Sequence, residues 1–284
     1  MAYRHIEVKA NETGFGAEIK GLDLSAPLAP QTLEEVKSAW AEHGVVFFPD
    51  QPLELDALER FTEEIGPFGH DPFIKPMADH PHVLELRREP DEKATNFGAG
   101  WHSDWSFQET PPAATLLHSK VVPPKGGDTL YADCARAYEA LSPAMKKLLA
   151  PLNAVHSAIL PYSKKGIFAQ EKEERTMQII TSDEAEKTQS HPLVRTHPVT
   201  GRKALYVSPV YTVGIEGMSN EESQWLLGGL YQHMTKPEFI YRHKWRENML
   251  VMWDNRSTLH FAEGGYDGYL RVMHRTTVAG EKPV

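Results

Sequence analysis

The chain is poor in cysteine, with Cys134 as the single example among 284 residues. One thiol excludes an intramolecular disulfide and a zinc site built from several cysteines. Such scarcity fits a reducing compartment, and we expect a cytoplasmic protein. No neighbouring residue in the sequence would activate this thiol, so Cys134 is predicted to be a small buried residue.

Long apolar runs and basic blocks are also missing. No stretch approaches the roughly 20 apolar residues that span a bilayer, and the first residues, MAYRHIEVKANETG, contain no apolar signal core. The formal net charge is −9, which does not favour polyanionic partners. We therefore expect neither nucleic acid nor membrane as a partner, but a small molecule.

The hydrophobic content of 40% is enough for a sizeable core, and the length favours one domain over residues 1–284. Apolar alternation predicts short strands near residues 6–8, 17–19, 45–48, 83–86, 115–119, 204–207, 239–242 and 250–253. Helical spacing occurs at residues 33–41, 55–65, 138–149 and 221–234. This mainly β pattern with flanking helices, without a GxGxxG or GxxxxGK[ST] motif, argues against a doubly wound nucleotide-binding fold.

One charged stretch, residues 170–189, interrupts the strand pattern. It has two interpretations: a solvated, partly helical insertion, which its composition favours, or a mobile lid over a pocket. The region near residues 160–190 is therefore a possible lid or insertion.

The segment His102-Ser103-Asp104 and the distant His260 are the most informative residues of the sequence. Two imidazoles and one carboxylate can hold one face of an octahedral metal and leave the opposite face open, as in non-haem Fe(II) oxygenases. On an extended strand, residues two apart point to the same side, so His102 and Asp104 could reach one ion. The chain has fourteen histidines, so the motif needs support from its surroundings.

Two arginines follow the distal histidine. Arg271 can hold a carboxylate through paired charge-assisted hydrogen bonds, and the hydroxyl of Thr129 can add a donor. If residues 271–275 form a strand, Arg271, Met273 and Arg275 share one face. Two buried arginines are costly unless each meets an anion, which predicts two anionic groups in the pocket.

Longer motifs extend this pattern over nearly the whole chain, namely WHSDWSFQETPPA, VVPPKGGDTLYAD, HPLVRTHPVTGRKALYV, WDNRSTLHFAEG and RVMHR. With them the chain resembles the taurine dioxygenase/TfdA-like family of Fe(II)- and 2-oxoglutarate-dependent dioxygenases. The resemblance implies a double-stranded β-helix (jelly-roll) core with flanking helices, and a homo-oligomer, either dimer or tetramer. It also implies Fe(II), 2-oxoglutarate and O2 as the reactants beside a small anionic organic substrate.

The same resemblance assigns roles to residues. By position it implies that the iron ligands are His102, Asp104 and His260, that Thr129 and Arg271 hold the distal carboxylate of 2-oxoglutarate, and that Arg275 contacts a substrate anion beside the iron. Tyr211 falls at an aromatic pocket position. Because Asp104 is a carboxylate rather than a small residue, hydroxylation is favoured over halogenation.

The sequence departs from the taurine-type pattern near the substrate. Where those members have His-Pro-x-Tyr, this chain reads Asp71-Pro72-Phe73-Ile74, and their Asn-rich segment before the metal motif corresponds to NFGAG at residues 96–100. Asp71 and Phe73 are therefore candidate substrate contacts. The loss of donors argues against taurine, while an anionic group near Arg275 stays an expectation.

The implied reaction hydroxylates a substrate C–H bond and converts 2-oxoglutarate into succinate and CO2. The anionic substrate could be a sulfonate, a sulfate ester or a carboxylate, including an aryloxyalkanoate. Two rivals remain open from the residues alone: a cupin-type dioxygenase that does not use 2-oxoglutarate, and a non-catalytic jelly-roll binding protein. The first leaves Thr129 and Arg271 unexplained, and the second leaves the His102, Asp104 and His260 set unexplained.

Overall fold

The computed structural model describes residues 3–284, and its secondary structure is mainly β-sheet. The strands are β1 (Glu7–Ala10), β2 (Ala17–Lys20), β3 (Val45–Phe48), β4 (Leu84–Arg88), β5 (Ala114–Val121), β6 (Thr129–Asp133), β7 (Asn153–Ser157), β8 (Thr188–Pro192), β9 (Val194–Thr196), β10 (Lys203–Leu205), β11 (Thr212–Ile215), β12 (Ile240–His243), β13 (Leu250–Asp254), β14 (Thr258–Ala262) and β15 (Arg271–Val278).

The helices lie mostly outside the sheets. They are α1 (Pro30–His43), α2 (Leu55–Ile65), α3 (Cys134–Glu139), α4 (Pro143–Leu149), α5 (Ile159–Tyr162), α6 (Ile167–Gln170) and α7 (Asn220–Met234), with short 3₁₀ turns at Asp183–Glu186 and Pro237–Phe239. Among residues 3–284, none of the helices has the length and apolar character that crossing a membrane requires.

The strands form the double-stranded β-helix (jelly-roll) core that the resemblance implied. Seven strands make the large sheet in the order β1-β2-β3-β13-β5-β15-β4, in which only β2 and β3 pair in parallel. Two three-stranded sheets have the orders β12-β6-β14 and β11-β7-β8, and β9 pairs with β10 in a two-stranded sheet. The mainly β fold with flanking helices is thereby confirmed.

The large sheet is buried on both faces. On β13, Leu250 and Met252 belong to the cluster that α1 and α2 cover, while Val251 and Trp253 belong to a second cluster on the opposite face. Both clusters are apolar because side chains alternate across a strand, so a sheet covered on two sides needs apolar residues at every position. The second face of the sheet lies toward β6, through Tyr131.

Strand β15 places its arginines on this inner face. Met273 packs in the inner cluster, and Arg271 and Arg275 border an internal cavity. The outward face carries Thr276, whose hydroxyl is 2.7 Å from that of Thr62 on α2. The expectation that Arg271, Met273 and Arg275 share one face is confirmed, because the period of two follows directly from an extended strand.

The helix predicted over residues 138–149 is wrong as one element. The chain forms α3 and α4 instead, and Ser142 begins the second helix by accepting a hydrogen bond from the backbone N–H of Met145 at 3.2 Å. Pro143 follows at the first helical position, where its missing N–H costs nothing. A Ser-Pro pair inside an apolar pattern therefore marks a helix start.

Candidate metal centre and cavity

Two histidines meet through a backbone bridge. The N–H of His102 donates to the carbonyl of His260 at 3.1 Å, and the N–H of His260 donates to the carbonyl of His102 at 2.8 Å. Their ring centroids are 4.1 Å apart. His260 lies on β14, which β6 holds in register opposite Tyr131. Residues 158 positions apart in sequence are thus placed side by side by ordinary strand pairing.

Asp104 completes the set from a turn rather than from a strand. His102 is paired with His260, but the chain turns directly afterwards, and Trp105 adopts a left-handed backbone with φ of 46°. Asp104 Oδ1 lies 3.6 Å from His102 Nε2 and 3.8 Å from His260 Nε2. The expectation of a regular strand through residues 102–104 is wrong, yet the three donor atoms converge.

Hydrogen bonds and burial prepare the donor atoms for a metal. His102 Nδ1 donates to the carbonyl of Gly100 at 2.6 Å, which leaves Nε2 on the side of Asp104, 3.6 Å from its Oδ1. Burial, together with the nearby His102, lowers the pKa of His260 to about 3, so its ring is neutral. Burial opposes ionisation of Asp104, but the charge of Arg275 holds the pKa of that carboxyl well below its usual range. Two imidazoles and one carboxylate fit a divalent metal.

A buried network fixes the second oxygen of Asp104. The hydroxyl of Thr115 donates to Asp104 Oδ2 at 2.7 Å and accepts from Asn255 Nδ2 at 2.9 Å. Asn255 Oδ1 accepts from Trp253 Nε1 at 3.0 Å and from the backbone N–H of Asp104 at 3.3 Å. Oδ1 of Asp104 is therefore left to face the histidines. Sequence reasoning missed Thr115 and Asn255, and the WDN tripeptide was the available signal.

The three donors border an internal cavity. Arg271 and Thr129 also line this cavity. The Arg271 side chain is buried, and its guanidinium pairs with no carboxylate within residues 3–284. Thr129 Oγ1 accepts from Trp245 Nε1 at 3.0 Å, which leaves the hydroxyl proton free to donate. An uncompensated buried guanidinium beside a hydroxyl donor fits a carboxylate ligand.

Gly127 makes room for this guanidinium. Its backbone has φ of +73°, and a Cβ there would lie 3.4 Å from Arg271 Nε. A side chain at this position would therefore be strained by the backbone conformation, and its Cβ would lie in van der Waals contact with Arg271. The turn that contains Gly127 thus lies against the Arg271 side chain.

Arg275 differs from Arg271, because carboxylates of the protein lie beside its guanidinium and compensate its charge. Its Nη2 lies 3.1 Å from Asp104 Oδ1 and 3.5 Å from Asp71 Oδ1. Both oxygens of Asp71 accept hydrogen bonds, from Trp105 Nε1 at 2.5 Å and from the Thr277 hydroxyl at 2.9 Å. The prediction that each buried arginine needs an anion is satisfied here by the protein itself.

The aromatic candidates lie on the other side of His102. Tyr211 is 5.9 Å from the His102 ring, and Phe73 stacks on Tyr162 with ring centroids 4.8 Å apart. Phe73 is buried in this aromatic cluster, whereas Tyr211 and Tyr162 line a second cavity. This apolar chamber is lined by Thr95, Asn96, Phe97, Gly98, Ala99, Gly100, His102, Pro161, Tyr162, Ile167, Phe168, Val210 and Tyr211. No Asp, Glu, Lys or Arg of the described chain is among these residues.

Residues 160–190 lie over both cavities. Arg175 and Met177 line the first cavity, and Ile167 and Phe168 line the chamber. Arg175 donates to the carbonyl of Thr95 at 2.6 Å and to Glu171 at 2.9 Å. The charged residues of this stretch thus serve partly as contacts to the rest of the fold.

Comparison with known proteins places these features in one family. A sequence model described as "Taurine catabolism dioxygenase TauD, TfdA family" matches residues 7–277. An alpha-ketoglutarate-dependent sulfate ester dioxygenase of Pseudomonas putida is 36% identical over 273 residues, covering 95% of this chain and 88% of that protein. An alpha-ketoglutarate-dependent 2,4-dichlorophenoxyacetate dioxygenase of Cupriavidus pinatubonensis is 34% identical over 262 residues, covering 87% and 88%. The crystal structure of a taurine dioxygenase from Burkholderia xenovorans has a TM-score of 0.82 at 32% identity, covering 99% and 93%.

Loss of the Thr115 hydroxyl should weaken metal binding without changing the fold. We expect Thr115→Val to lower the affinity for Fe(II) roughly 10- to 100-fold, because hydrogen bonds to a ligating carboxylate orient it. Anaerobic titration calorimetry measures this affinity, and circular dichroism checks the fold. Thr115→Ser, which keeps the hydroxyl, is the matched control. Equal affinities for the valine and serine variants would contradict a role for Thr115 in holding Asp104.

Proposed function

The chain belongs to the taurine catabolism dioxygenase TauD, TfdA family, and we propose that it hydroxylates a small anionic molecule that carries a hydrocarbon tail, such as an alkyl sulfate ester. It is a 2-oxoglutarate-dependent non-haem iron dioxygenase that uses Fe(II), 2-oxoglutarate and O2. The proposal concerns the roles of individual residues and the substrate.

The metal ligands we propose are His102, Asp104 and His260. The observation that supports this choice is the convergence of two imidazole nitrogens and one carboxylate oxygen on the cavity wall. When bound, iron supplies the oxidising power through O2 and 2-oxoglutarate. Such a set leaves open coordination positions on the side of the cavity.

The distal carboxylate of 2-oxoglutarate fits Arg271 and Thr129. Arg271 offers two N–H groups in a fixed geometry, and Thr129 is left with a hydroxyl proton to donate because Trp245 Nε1 occupies its acceptor side. A carboxylate here would compensate the buried charge of Arg271. These side chains therefore orient the co-substrate and set its affinity.

Substrate would bind with its head near Arg275 and its tail in the apolar chamber. Arg275 borders the first cavity, and His102 borders both cavities, so a molecule spanning them passes beside the metal ligands. For an alkyl sulfate, hydroxylation at the carbon that bears oxygen gives a product that collapses to an aldehyde and sulfate. The balanced reaction consumes one O2 and one 2-oxoglutarate and releases succinate and CO2.

A substrate series of increasing chain length tests this proposal. We expect kcat/KM for primary alkyl sulfates to rise roughly threefold per methylene from two to eight carbons, because each buried CH2 contributes about 0.8 kcal/mol at most. Substrate-stimulated succinate release is the measurement, with taurine and aryloxyacetates as further members of the panel. Asp104→Ala should abolish release, while Asp56→Ala, at an exposed aspartate, should not. A flat series or a preference for taurine would contradict the proposed substrate class.

A second experiment tests the co-substrate site. Arg271→Ala should raise the KM for 2-oxoglutarate roughly 100-fold, because it removes charge-assisted hydrogen bonds in a buried site. Arg271→Lys should recover part of the loss, since it keeps the charge without the paired geometry. Arg202→Ala, at a half-buried arginine that lines neither cavity, is the control. An unchanged KM in the alanine variant would remove Arg271 from this role.

We propose that residues 160–190 cover the two cavities and belong to a single domain that comprises residues 1–284. The support is that backbone contacts fasten this stretch to distant segments: Lys75 N–H donates to the carbonyl of Gln178 at 3.0 Å, and Ile180 N–H to that of Phe73 at 2.8 Å. We also propose a cytoplasmic location, which the single buried Cys134 fits.

We further propose a homo-oligomer that forms through the surface around Trp225. Trp225 on α7 is 81% exposed and Leu148 on α4 is 50% exposed, and both border a shallow hollow with Met218 and Leu226. Large apolar side chains that are exposed and lie close together are typical of surfaces that bind another protein chain.

The Trp225 surface can be tested by a charge substitution. We expect Trp225→Glu to reduce the mass measured by light scattering to that of one 32.0 kDa chain, because a carboxylate cannot be buried unpaired in the contact. Val199→Glu, at an exposed apolar residue between β9 and β10, should keep the wild-type mass. A wild-type protein that is already monomeric, or a Trp225→Glu variant with unchanged mass, would contradict the proposed surface.

A further inference from the structure

Arg275 has two carboxylate neighbours, and only one of them belongs to the candidate metal centre. Asp104 is the candidate ligand, whereas Asp71 lies in the segment before β4 and has no contact with either histidine of the centre. Asp71 lines neither of the two cavities. It acts on whatever binds near Arg275 through its charge and not through contact.

We propose that Asp71 is a specificity-determining residue that weakens Arg275 as a binding group for the anionic head of the substrate. This inference rests on the proposed function, and it concerns how much the anionic head and the hydrocarbon tail of the substrate each contribute to the binding energy. A second negative charge 3.5 Å from the guanidinium opposes part of the attraction between Arg275 and an approaching anion. The hydrocarbon tail then contributes a larger share of the binding energy.

The charges around Arg275 support this effect. With Asp104 committed to the metal, Asp71 is the remaining carboxylate within 4 Å of the guanidinium in the described chain. Arg275 is buried, and it lies over the Trp105 ring with 5.1 Å from Cζ to the centroid. In such buried surroundings, charges several ångströms apart interact more strongly than they do in bulk water.

The hydrogen bonds of Asp71 allow its charge to be removed separately from its structural role. Its Oδ1 accepts from Trp105 Nε1, and its Oδ2 accepts from the Thr277 hydroxyl. Asparagine can keep the first bond, and its amide can donate to Thr277, whose hydroxyl accepts equally well. Asp71→Asn therefore removes charge alone, whereas Asp71→Ala also frees the indole of Trp105.

The experiment compares octane-1-sulfonate with neutral octane-1-sulfonamide. Dissociation constants are measured by calorimetry on the anaerobic enzyme loaded with Fe(II) and 2-oxoglutarate, for wild type and Asp71→Asn. We expect the variant to bind the sulfonate roughly tenfold more tightly and the sulfonamide within twofold of wild type. In turnover with an alkyl sulfate, its KM should fall while kcat stays within twofold.

Two controls separate this effect from general changes. Glu12→Gln removes an exposed carboxylate between β1 and β2 and should leave both dissociation constants unchanged, whereas Asp71→Ala should also lower the melting temperature. Sulfonate binding that is no tighter in Asp71→Asn than in wild type, or equal gains for sulfonate and sulfonamide, would overturn the proposal. Failure of the proposed function gives a different result, namely a wild-type enzyme that no member of the substrate panel stimulates.

Discussion

The reciprocal backbone bridge between His102 and His260 is the constraint on which the candidate site depends. Its two hydrogen bonds, 3.1 and 2.8 Å long, place two imidazoles from opposite parts of the chain on the same side of one sheet. Neither side chain has to be held by a long-range salt bridge or a flexible loop. This pairing forms together with the rest of the jelly roll, so the fold itself fixes the positions of both candidate histidine ligands.

Charge is distributed unequally along the inner face of β15. The charge of Arg275 is compensated by Asp104 and Asp71. Arg271 lies four residues earlier on the same face of the strand, and it has no carboxylate partner among residues 3–284. Arg275 therefore belongs to the surroundings of the candidate metal centre. Arg271 has no such compensation, so its buried charge favours an anionic ligand. One strand thus presents two guanidinium groups with different functions.

Much of the site could be predicted from the sequence because its elements follow local rules. The period of two placed Arg271 and Arg275 on one face, and the His-x-Asp motif with a distal histidine indicated the metal donors. The hydrogen bond between Thr115 and Asn255 joins residues 140 positions apart in sequence, so the WDN tripeptide could mark Asn255 but could not reveal its partner. The partnership of Asp71 with Arg275 was likewise hidden, because only the fold brings the segment before β4 to β15.

The uncompensated guanidinium of Arg271 has a consequence for the lifetime of the protein. A buried cation without a partner lowers the free energy of unfolding. A carboxylate ligand that binds only the native chain raises that free energy, and the increase grows with the logarithm of the ligand concentration. Scarcity of the keto acid would therefore raise the population of unfolded chains that proteases can cleave. Nutrient supply would then govern the abundance of this enzyme as well as its rate.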